Sequence, residues 1–284
     1  MSKVTPDVYR RSVVAFIDDF IKFNERGKPF RLLDHQRQIL DSAFVFDRDG
    51  RLPWKTIVYS CPKKSGKTTI NAAVTVRWAF TQDAPNEILV LANDRGQAEA
   101  RVFKAIVGLL KHNPELKKSA KIRKGKIVLS NGTEIAALAT EYAGAAGSNH
   151  GLTSWDELWG YTSESATRFW EELTTVPTLT NSIRFITTYA GFENESELLW
   201  KLYRQGVGPE EHPDGQAMRL HPDLPIYANK AAQIFCYWDH QRMPWQADPK
   251  YYETERQTQR ASTFLRLHEN RWVTTETAFI TPEM

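Results

Sequence analysis

The sequence has little cysteine, no long apolar run and no strong excess of either charge. Its two cysteines, Cys61 and Cys236, cannot build a disulfide framework, which indicates a reducing compartment. No apolar run approaches the roughly 18 residues of a membrane-spanning helix, and no signal peptide is recognisable, so neither membrane insertion nor secretion is expected. Low-complexity tracts and internal repeats are also lacking, which argues against disordered and repeat proteins.

The composition is that of a globular protein. Of 284 residues, 41% are hydrophobic and 12% aromatic, enough for a sizeable core in one large domain or two smaller ones. The 37 basic and 34 acidic residues leave a formal net charge of +3, which permits a nucleic-acid partner without requiring one. A shift in composition towards proline and glycine predicts a boundary between a first domain, 1–208, and a smaller C-terminal part, 209–284.

The most informative stretch runs from Cys61 to Thr68 and ends in Gly-Lys-Thr. A predicted buried strand over 54–60 precedes it, and a predicted helix over 69–80 follows. Strand, loop and helix in this order form the context of a phosphate-binding P-loop, whose backbone N–H groups and helix N-terminus bind phosphate. Cys61 stands where the usual pattern has its first glycine, so on the motif alone an ordinary surface turn stays an alternative.

The chemistry of P-loops assigns roles to two residues of this loop. The lysine reaches the β- and γ-phosphates, and the hydroxyl after it binds Mg²⁺, which assigns Lys67 and Thr68. Gln36, in a predicted helix over 33–46, is a candidate for adenine recognition because its amide both donates and accepts; the alternative is a solvated helix residue. The predicted nucleotide-binding set is Gln36, Pro62, Lys63, Lys64, Ser65, Gly66, Lys67, Thr68 and Thr69.

Two later strands are predicted to bring acids and hydroxyls to the phosphates. The segment 152–157 ends in Asp156 and Glu157. In P-loop ATPases a strand-end aspartate holds Mg²⁺ and a glutamate polarises the attacking water, although two acids at a helix N-terminus are also common. A further strand ends in Thr187-Thr188, whose hydroxyls either sense the γ-phosphate or reflect the β-propensity of threonine.

The order of the remaining elements predicts an α/β fold. An apolar run at 87–92 and a helix at 97–111 continue the alternation of strands and helices, which predicts a parallel sheet with right-handed crossovers. Asn131-Gly132 between apolar runs predicts a hairpin in or at the edge of that sheet. The basic cluster at 117–126 either contacts nucleic-acid phosphates or protects a solvated edge. A first helix is predicted over 5–26.

Together these motifs resemble the large terminase subunit of tailed bacteriophages, the motor that pumps DNA into a capsid. A basic residue before Ser-Gly-Lys-Thr, where other P-loops have glycines, is typical of these motors. The resemblance covers nearly the whole chain and is carried by Gln36, Pro62–Thr68, Asn93–Ala98, His150-Gly151, Trp155–Glu157, Thr187–Gly191 and Leu267–Trp272.

The resemblance implies a P-loop NTPase of the additional-strand (ASCE) type. Its sheet is mainly parallel and flanked by helices, and a small C-terminal linker subdomain follows. The implied activity is Mg²⁺-dependent ATP hydrolysis that drives translocation of DNA. The implied site has Gln36 near adenine, Lys67 on phosphate, Thr68 and Asp156 on Mg²⁺, Glu157 as catalytic base, and Thr187 and Thr188 coupling hydrolysis to movement.

The resemblance also implies partners and a location. The partners are double-stranded DNA, the portal protein and the terminase small subunit, and the chain is expected to form a ring on the capsid and to be a monomer in solution. The location is the host cytoplasm, at the procapsid portal. A nuclease domain is expected to begin near Phe279 and is missing here, so no nuclease activity is expected from this chain.

The sequence does not identify the arginine that stabilises the transition-state charge. Ring ATPases use an arginine from a neighbouring subunit to stabilise transition-state charge. The loop at 142–151 contains no arginine, so Arg95, Arg101 and Arg168 are the candidates. Supply of part of the charge by Lys63 or Lys64 of the same subunit is an alternative.

Two alternative functions are another nucleic-acid-stimulated ATPase, such as a helicase-like translocase, and a nucleotide-dependent interaction module. Too few residues follow position 208 for the second motor domain of a helicase. A module without turnover would not need the water-activating carboxylate of Glu157.

Overall fold

A ten-stranded sheet with helices on both faces organises the chain. The computed structural model describes residues 6–92, 101–139 and 147–274. In chain order the strands are β1 Thr56–Ser60, β2 Glu87–Ala92, β3 Ala120–Arg123, β4 Lys126–Leu129, β5 Glu134–Ala139, β6 His150–Asp156, β7 Ile183–Thr188, β8 Met218–Arg219, β9 Ile226–Asn229 and β10 Ile234–Trp238.

Ten α-helices are described alongside these strands. They are α1 Pro6–Arg11, α2 Val13–Phe20, α3 Asp34–Ala43, α4 Lys67–Thr81, α5 Val102–His112, α6 Pro114–Lys117, α7 Glu164–Glu172, α8 Glu197–Gly206, α9 Pro249–Thr258 and α10 Ala261–His268. None of these described helices is both long enough and apolar enough to cross a membrane.

The strand order is β3-β4-β5-β2-β6-β7-β1-β10-β9-β8. The six strands from β5 to β10 in that order run parallel, and antiparallel strands extend the sheet at both edges. This confirms the predicted mainly parallel sheet. Because parallel strands place their carboxyl ends at one edge, the loops that follow β1, β6, β7 and β10 meet there.

The central strands are buried on both faces. One hydrophobic cluster joins α2, α3, α4 and α5 to the sheet, and a second joins α7 and α8 to the opposite face. Fully buried tryptophans lie in both clusters, Trp78 in the first and Trp155 and Trp238 in the second. A sheet covered in this way explains the near-continuous apolar sequence of its strands.

The predicted single helix over 5–26 is wrong. The structure has two short helices, because the Ser12 hydroxyl caps a new helix by accepting a hydrogen bond from the backbone N–H of Ala15. The chain then leaves the helical conformation, and Phe23 and Pro29 form an antiparallel bridge around a turn. Gly27 occupies that turn with a φ of 73°, a conformation that favours glycine.

The hairpin predicted at Asn131-Gly132 is confirmed at the sheet edge, as the β4–β5 pair. The basic cluster lies on the outermost strand β3 and the turn after it, where Lys121, Arg123 and Lys124 are exposed. Charged side chains at this place discourage edge-to-edge pairing of sheets. A contact of this cluster with nucleic acid stays a prediction.

The chain beyond residue 208 returns to the same sheet. β10 lies parallel to β1, with Thr56 paired to Ile234, and β9 and β8 continue outward from it. The strand β1, which leads into the P-loop, is therefore an interior strand because β10 pairs with its second edge. The division of the chain near residue 208 stays a prediction.

Candidate active site

The candidate site lies at the carboxyl edge of the central strands. The P-loop follows β1, and β6 ends at Asp156. Thr187 of β7 is paired in register with Tyr59 of β1 on one side and with Asp156 on the other. The sheet thus brings together the phosphate loop, the acidic pair and the two threonines that the sequence predicted.

The P-loop backbone contains two left-handed residues. Lys64 has a φ of 70°, and Gly66, the N-cap of α4, has a φ of 83°. Left-handed residues within such a loop are typical of backbone nests that bind anions. Cys61 is not among the residues with positive φ and is fully buried, so its position makes no backbone demand for glycine.

Lys67 is held against its own loop. The side chain is buried, and its Nζ donates hydrogen bonds of 2.8 Å to the Cys61 carbonyl and 3.0 Å to the Pro62 carbonyl. The ammonium also lies 5.1 Å from the centre of the Tyr189 ring. It is therefore already placed at the loop that would receive phosphate.

The two threonines after Lys67 differ in their surroundings. Thr68 is half-buried in the first turn of α4. The hydroxyl of Thr69 donates a 2.9 Å hydrogen bond to the Glu25 carboxylate. This contact, which was not predicted from the sequence, ties the start of α4 to the N-terminal region.

A buried polar network links Asp156 to the P-loop helix. Thr187 Oγ1 donates to Asp156 Oδ1 at 3.3 Å and accepts from Asn71 Nδ2 at 2.8 Å. Asn71 Oδ1 in turn accepts from the hydroxyls of Ser154, at 2.6 Å, and Thr75, at 3.2 Å. Asn71 was not predicted as a site residue. The sequence signal that could have found it is an asparagine one turn after Thr68 in an otherwise apolar helix, and the structure buries this residue fully.

The pKa of Asp156 is raised above its ordinary value. Burial is the main cause, and the nearby charges of Arg101 and Lys67 oppose the rise, as does the hydrogen bond from Thr187. Within the described residues this 3.3 Å bond is the one side-chain hydrogen bond that Asp156 accepts, which leaves lone pairs of the carboxylate for a cation.

Glu157 leaves the strand in a left-handed conformation, with a φ of 54°. Its backbone N–H donates to the Thr187 carbonyl at 2.8 Å, and its Oε2 accepts from Trp159 Nε1 at 2.9 Å. Burial raises the pKa of Glu157, and Asp156 adds to the rise, whereas Lys67 opposes it. The carboxylate is thus oriented and made more basic, as a proton acceptor requires.

An aromatic stack supports Trp159, whose indole N–H binds the Glu157 carboxylate. Trp159 stacks on Tyr189 with ring centres 5.6 Å apart, and the Arg266 guanidinium lies 4.4 Å from the Trp159 ring. Arg266 is 8% exposed and also lies 5.3 Å from the Tyr189 ring. Sequence reasoning missed this stack because Arg266 and Trp159 are far apart in the chain.

Asn270 braces the same edge of the sheet from the C-terminal part. Its Nδ2 donates to Ser60 Oγ at 3.0 Å and to the Asp239 carbonyl at 2.9 Å, and its Oδ1 accepts from the Ala190 N–H at 2.7 Å. Asn270 is fully buried and has a φ of 51°. It therefore joins the ends of β1, β7 and β10.

The oxygen donors of the site fit Mg²⁺. Mg²⁺ is usually held by one or two protein oxygens together with water and substrate phosphates. The Thr68 hydroxyl and the Asp156 carboxylate are donors of this kind. In the part of the chain that the structure describes, no group of three or more His, Cys, Asp or Glu residues could hold a metal by itself.

Gln36 is buried beside Tyr59 at the start of α3. Its Oε1 accepts a 3.0 Å hydrogen bond from the Leu33 N–H, so part of the amide caps its own helix. Its role towards adenine stays a prediction. Thr188 is also buried, and its hydroxyl donates to the Tyr189 carbonyl at 3.0 Å.

The three arginine candidates differ in position. The charge of Arg101 lowers the pKa of both Asp156 and Glu157, which places it near the acidic pair of its own chain. Arg168 pairs with Glu164 on the exposed surface of α7, at 2.8 Å. Arg95 lies outside the described residues.

Comparison with known protein families identifies the family of this chain. The family model of the terminase large subunit, ATPase domain, matches residues 34–201, which is more than half of the chain. No curated protein matches the sequence.

Two solved structures share the fold. The large terminase of bacteriophage HK97 has a TM-score of 0.67 at 17% identity, over 93% of this chain and 55% of that one. The large terminase ATPase domain of Thermus phage P74-26 has a TM-score of 0.57 at 13% identity, over 86% of this chain and 100% of that one. The present chain thus spans about half the length of the HK97 protein. On the family match, this chain belongs to the ATPase domains of terminase large subunits.

Proposed function

We propose that this chain hydrolyses ATP to drive double-stranded DNA into a viral procapsid. The observation that carries the proposal is the convergence of Lys67, Asp156 and Glu157 at one sheet edge in a terminase ATPase domain. Each of the three has the surroundings that its role in hydrolysis requires.

The phosphate loop binds the nucleotide in this proposal. Lys67 exchanges the carbonyls of Cys61 and Pro62 for phosphate oxygens, and the loop N–H groups and the N-terminus of α4 contribute further favourable charge. Thr68 and Asp156 hold Mg²⁺, which when bound neutralises part of the phosphate charge. Gln36 contacts the adenine.

Glu157 acts as the general base. Its carboxylate, held by the Trp159 indole N–H, accepts the proton of the attacking water. A positioned base of this kind contributes roughly 10²- to 10⁴-fold to the rate. The raised pKa of Glu157 increases its affinity for that proton.

Thr187 couples the site to movement. Its hydroxyl contacts both Asp156 and Asn71, so a change at the phosphates reaches β7 and α4 through one side chain. Thr188 lies next to it and pairs with Ser60, the last residue before the P-loop.

The partners follow from the proposed activity. The chain acts on double-stranded DNA together with the portal protein and the terminase small subunit, in the host cytoplasm at the procapsid portal. It forms a ring there and is a monomer in solution. An arginine of a neighbouring subunit stabilises the transition-state charge, with Arg101, Arg95 and Arg168 as the candidates.

The test is the ATPase rate measured against protein concentration, with and without duplex DNA. Stimulation by DNA and a rate per subunit that rises steeply with concentration are expected for a ring that completes its sites between subunits. The Lys67→Ala variant serves as the blank for contaminating ATPases. Absence of hydrolysis above that blank under all conditions would contradict the proposed activity, and a concentration-independent rate would favour an isolated monomeric motor.

A further inference from the structure

The turn that precedes α9 lies against the phosphate loop. Gln246 in this turn is 8% exposed. Its backbone N–H donates to the Met243 carbonyl at 2.8 Å, and its side-chain Oε1 accepts from the Met243 N–H at 3.0 Å. The side chain is therefore oriented by its own turn, independently of its contacts with other segments.

The Gln246 amide reaches two residues of the loop. Nε2 donates to the Lys63 carbonyl at 2.8 Å, and Oε1 accepts from Ser65 Oγ at 3.0 Å. Nε2 also donates to the Tyr252 hydroxyl at 3.0 Å. Both hydrogens and both lone pairs of the amide are thus engaged, with Met243 as the fourth partner.

Two further hydrogen bonds come from the same C-terminal part. Trp245 Nε1 donates to the Lys64 carbonyl at 3.0 Å, and the Lys63 N–H donates to the Leu267 carbonyl at 2.7 Å. The carbonyls of Lys63 and Lys64 belong to the two peptide planes that flank Lys64. Holding both planes fixes the backbone conformation of that one residue.

Lys64 is the residue of the loop that needs such support. Its φ of 70° is a left-handed conformation, which is sterically unfavourable for a residue with a side chain. Backbone conformations of this kind persist where the surrounding structure holds them. The hydrogen bonds from the C-terminal part therefore hold Lys64, which lacks the freedom of glycine to adopt a positive φ.

We propose that Gln246 is a positioning residue for the phosphate loop, which it holds in the phosphate-binding conformation before nucleotide arrives. This inference rests on the proposed function, because it assigns Gln246 to the same nucleotide site. Gln246 acts through the loop and not on the reacting atoms. The amide donates to Lys63 while it accepts from Ser65, which neither a carboxylate nor an apolar side chain of similar size can do.

Loss of the amide is expected to weaken binding more than turnover. A loop released from Gln246 populates conformations that do not bind phosphate, and the apparent affinity falls by the fraction that remains competent. Once nucleotide is bound, the loop is held by the phosphates, and Glu157 acts as before.

The experiment compares the full chain with Gln246→Ala, Gln246→Glu and the matched control Gln241→Ala, whose side chain is exposed in the same segment. The fluorescent probe mant-ADP gives the Kd, and steady-state hydrolysis gives KM and kcat. Both Gln246 variants should raise Kd and KM by about tenfold or more while kcat stays within about threefold. The Gln241→Ala values should equal those of the wild type.

Trp245→Phe keeps the test decisive if the Gln246 variants do not fold. It keeps an aromatic side chain but lacks the indole N–H that binds the Lys64 carbonyl, and Trp245 is 54% exposed. A smaller rise in Kd in the same direction is expected. Unchanged Kd in the folded variants, or a loss of kcat at unchanged KM, overturns the inference. Failure of the wild type to bind mant-ADP overturns the proposed function with it.

Discussion

The amide of Asn71 donates a 2.8 Å hydrogen bond to the hydroxyl of Thr187, which joins the P-loop helix to the strand beside Asp156. We predict that Asn71→Leu, which keeps the branched shape of the side chain but not its polarity, leaves the Ser154 hydroxyl without its buried acceptor and the Thr187 hydroxyl without its donor. The expected loss is about 2 kcal/mol or more in the free energy of unfolding, with a loss of ATPase activity. Urea unfolding and steady-state hydrolysis measure the two effects.

Thr75→Val is the matched comparison for that variant. The Thr75 hydroxyl bonds to Asn71 at 3.2 Å, and Asn71 keeps its bond from Ser154 when this hydroxyl is removed. The loss should therefore stay below about 1 kcal/mol. An Asn71→Leu protein with the urea midpoint of the wild type would show that the network contributes nothing to stability.

Lys67→Ala is predicted to abolish ATP hydrolysis. The ammonium is the buried cation of the phosphate loop, and alanine leaves the carbonyls of Cys61 and Pro62 without their donor. Release of phosphate from ATP measures the effect, and circular dichroism checks that the variant is folded. Turnover at the wild-type rate would remove Lys67 from the catalytic group.

Glu157→Gln is predicted to keep ATP binding and to lose turnover by more than about 10²-fold. The glutamine retains the size of the side chain and an oxygen for the Trp159 N–H, but it cannot accept the proton of water. Equilibrium binding of nucleotide and single-turnover hydrolysis separate the two quantities. Normal single-turnover rates would rule out Glu157 as the base.

Arg101→Ala is predicted to lower kcat by at least about tenfold, because Arg101 lies near the acidic pair, where its positive charge stabilises the charge that develops on the phosphates. Arg168→Ala should cause the smaller loss, since Arg168 forms an exposed ion pair with Glu164. Mixing Arg101→Ala with Lys67→Ala protein tests the origin of the charge. No recovery is expected if Arg101 acts within its own subunit, and recovery in the mixture would show that it acts on a neighbour.

The protonation of His240 predicts a pH dependence of stability. Nδ1 lies 2.8 Å from the Glu269 carbonyl oxygen and Nε2 lies 2.8 Å from the Glu211 carboxylate. Burial opposes protonation, but the hydrogen bond and charge of Glu211 and the carbonyl of Glu269 outweigh it, and the pKa of His240 is raised above 6.5. The stabilisation is therefore complete below the unfolded pKa and is lost as the pH rises through the folded pKa.

Urea unfolding at about pH 6 and about pH 8 measures this dependence. The free energy of unfolding of the wild type should exceed that of Glu211→Gln by more at about pH 6 than at about pH 8, although the substitution also alters the contact with Tyr203. The comparison is made between the two proteins because His35, His150 and His268 have lowered pKa values and act in the opposite direction in both. An equal difference at the two pH values would assign the pH dependence to other groups.

The strands that carry the site could be predicted from local sequence. β1, β2 and β7 are apolar, β-branched or aromatic runs, because each is buried in the middle of the sheet. The P-loop and the acidic pair follow such runs directly. Their convergence follows from the parallel order of the strands, and the structure confirms the fold.

The supports of the site could not be predicted from local sequence. Asn270, Gln246 and Arg266 reach the site from the far end of the chain, and no periodic pattern marks their contacts. The prediction of a single N-terminal helix was wrong for a related reason. Its apolar stripe continues through Ser12, but the hydroxyl of that residue forms a cap that ends one helix and begins another.

The pairing of β1 with β10 also bears on how the chain can fold during synthesis. Among the described strands, β7 is the one neighbour of β1 until the residues of β10 leave the ribosome, so the strand before the P-loop is for that time an open sheet edge. A fragment that stops near residue 208 would keep that edge permanently and would be prone to aggregate. A soluble, shorter version of this ATPase must therefore extend at least through Trp238.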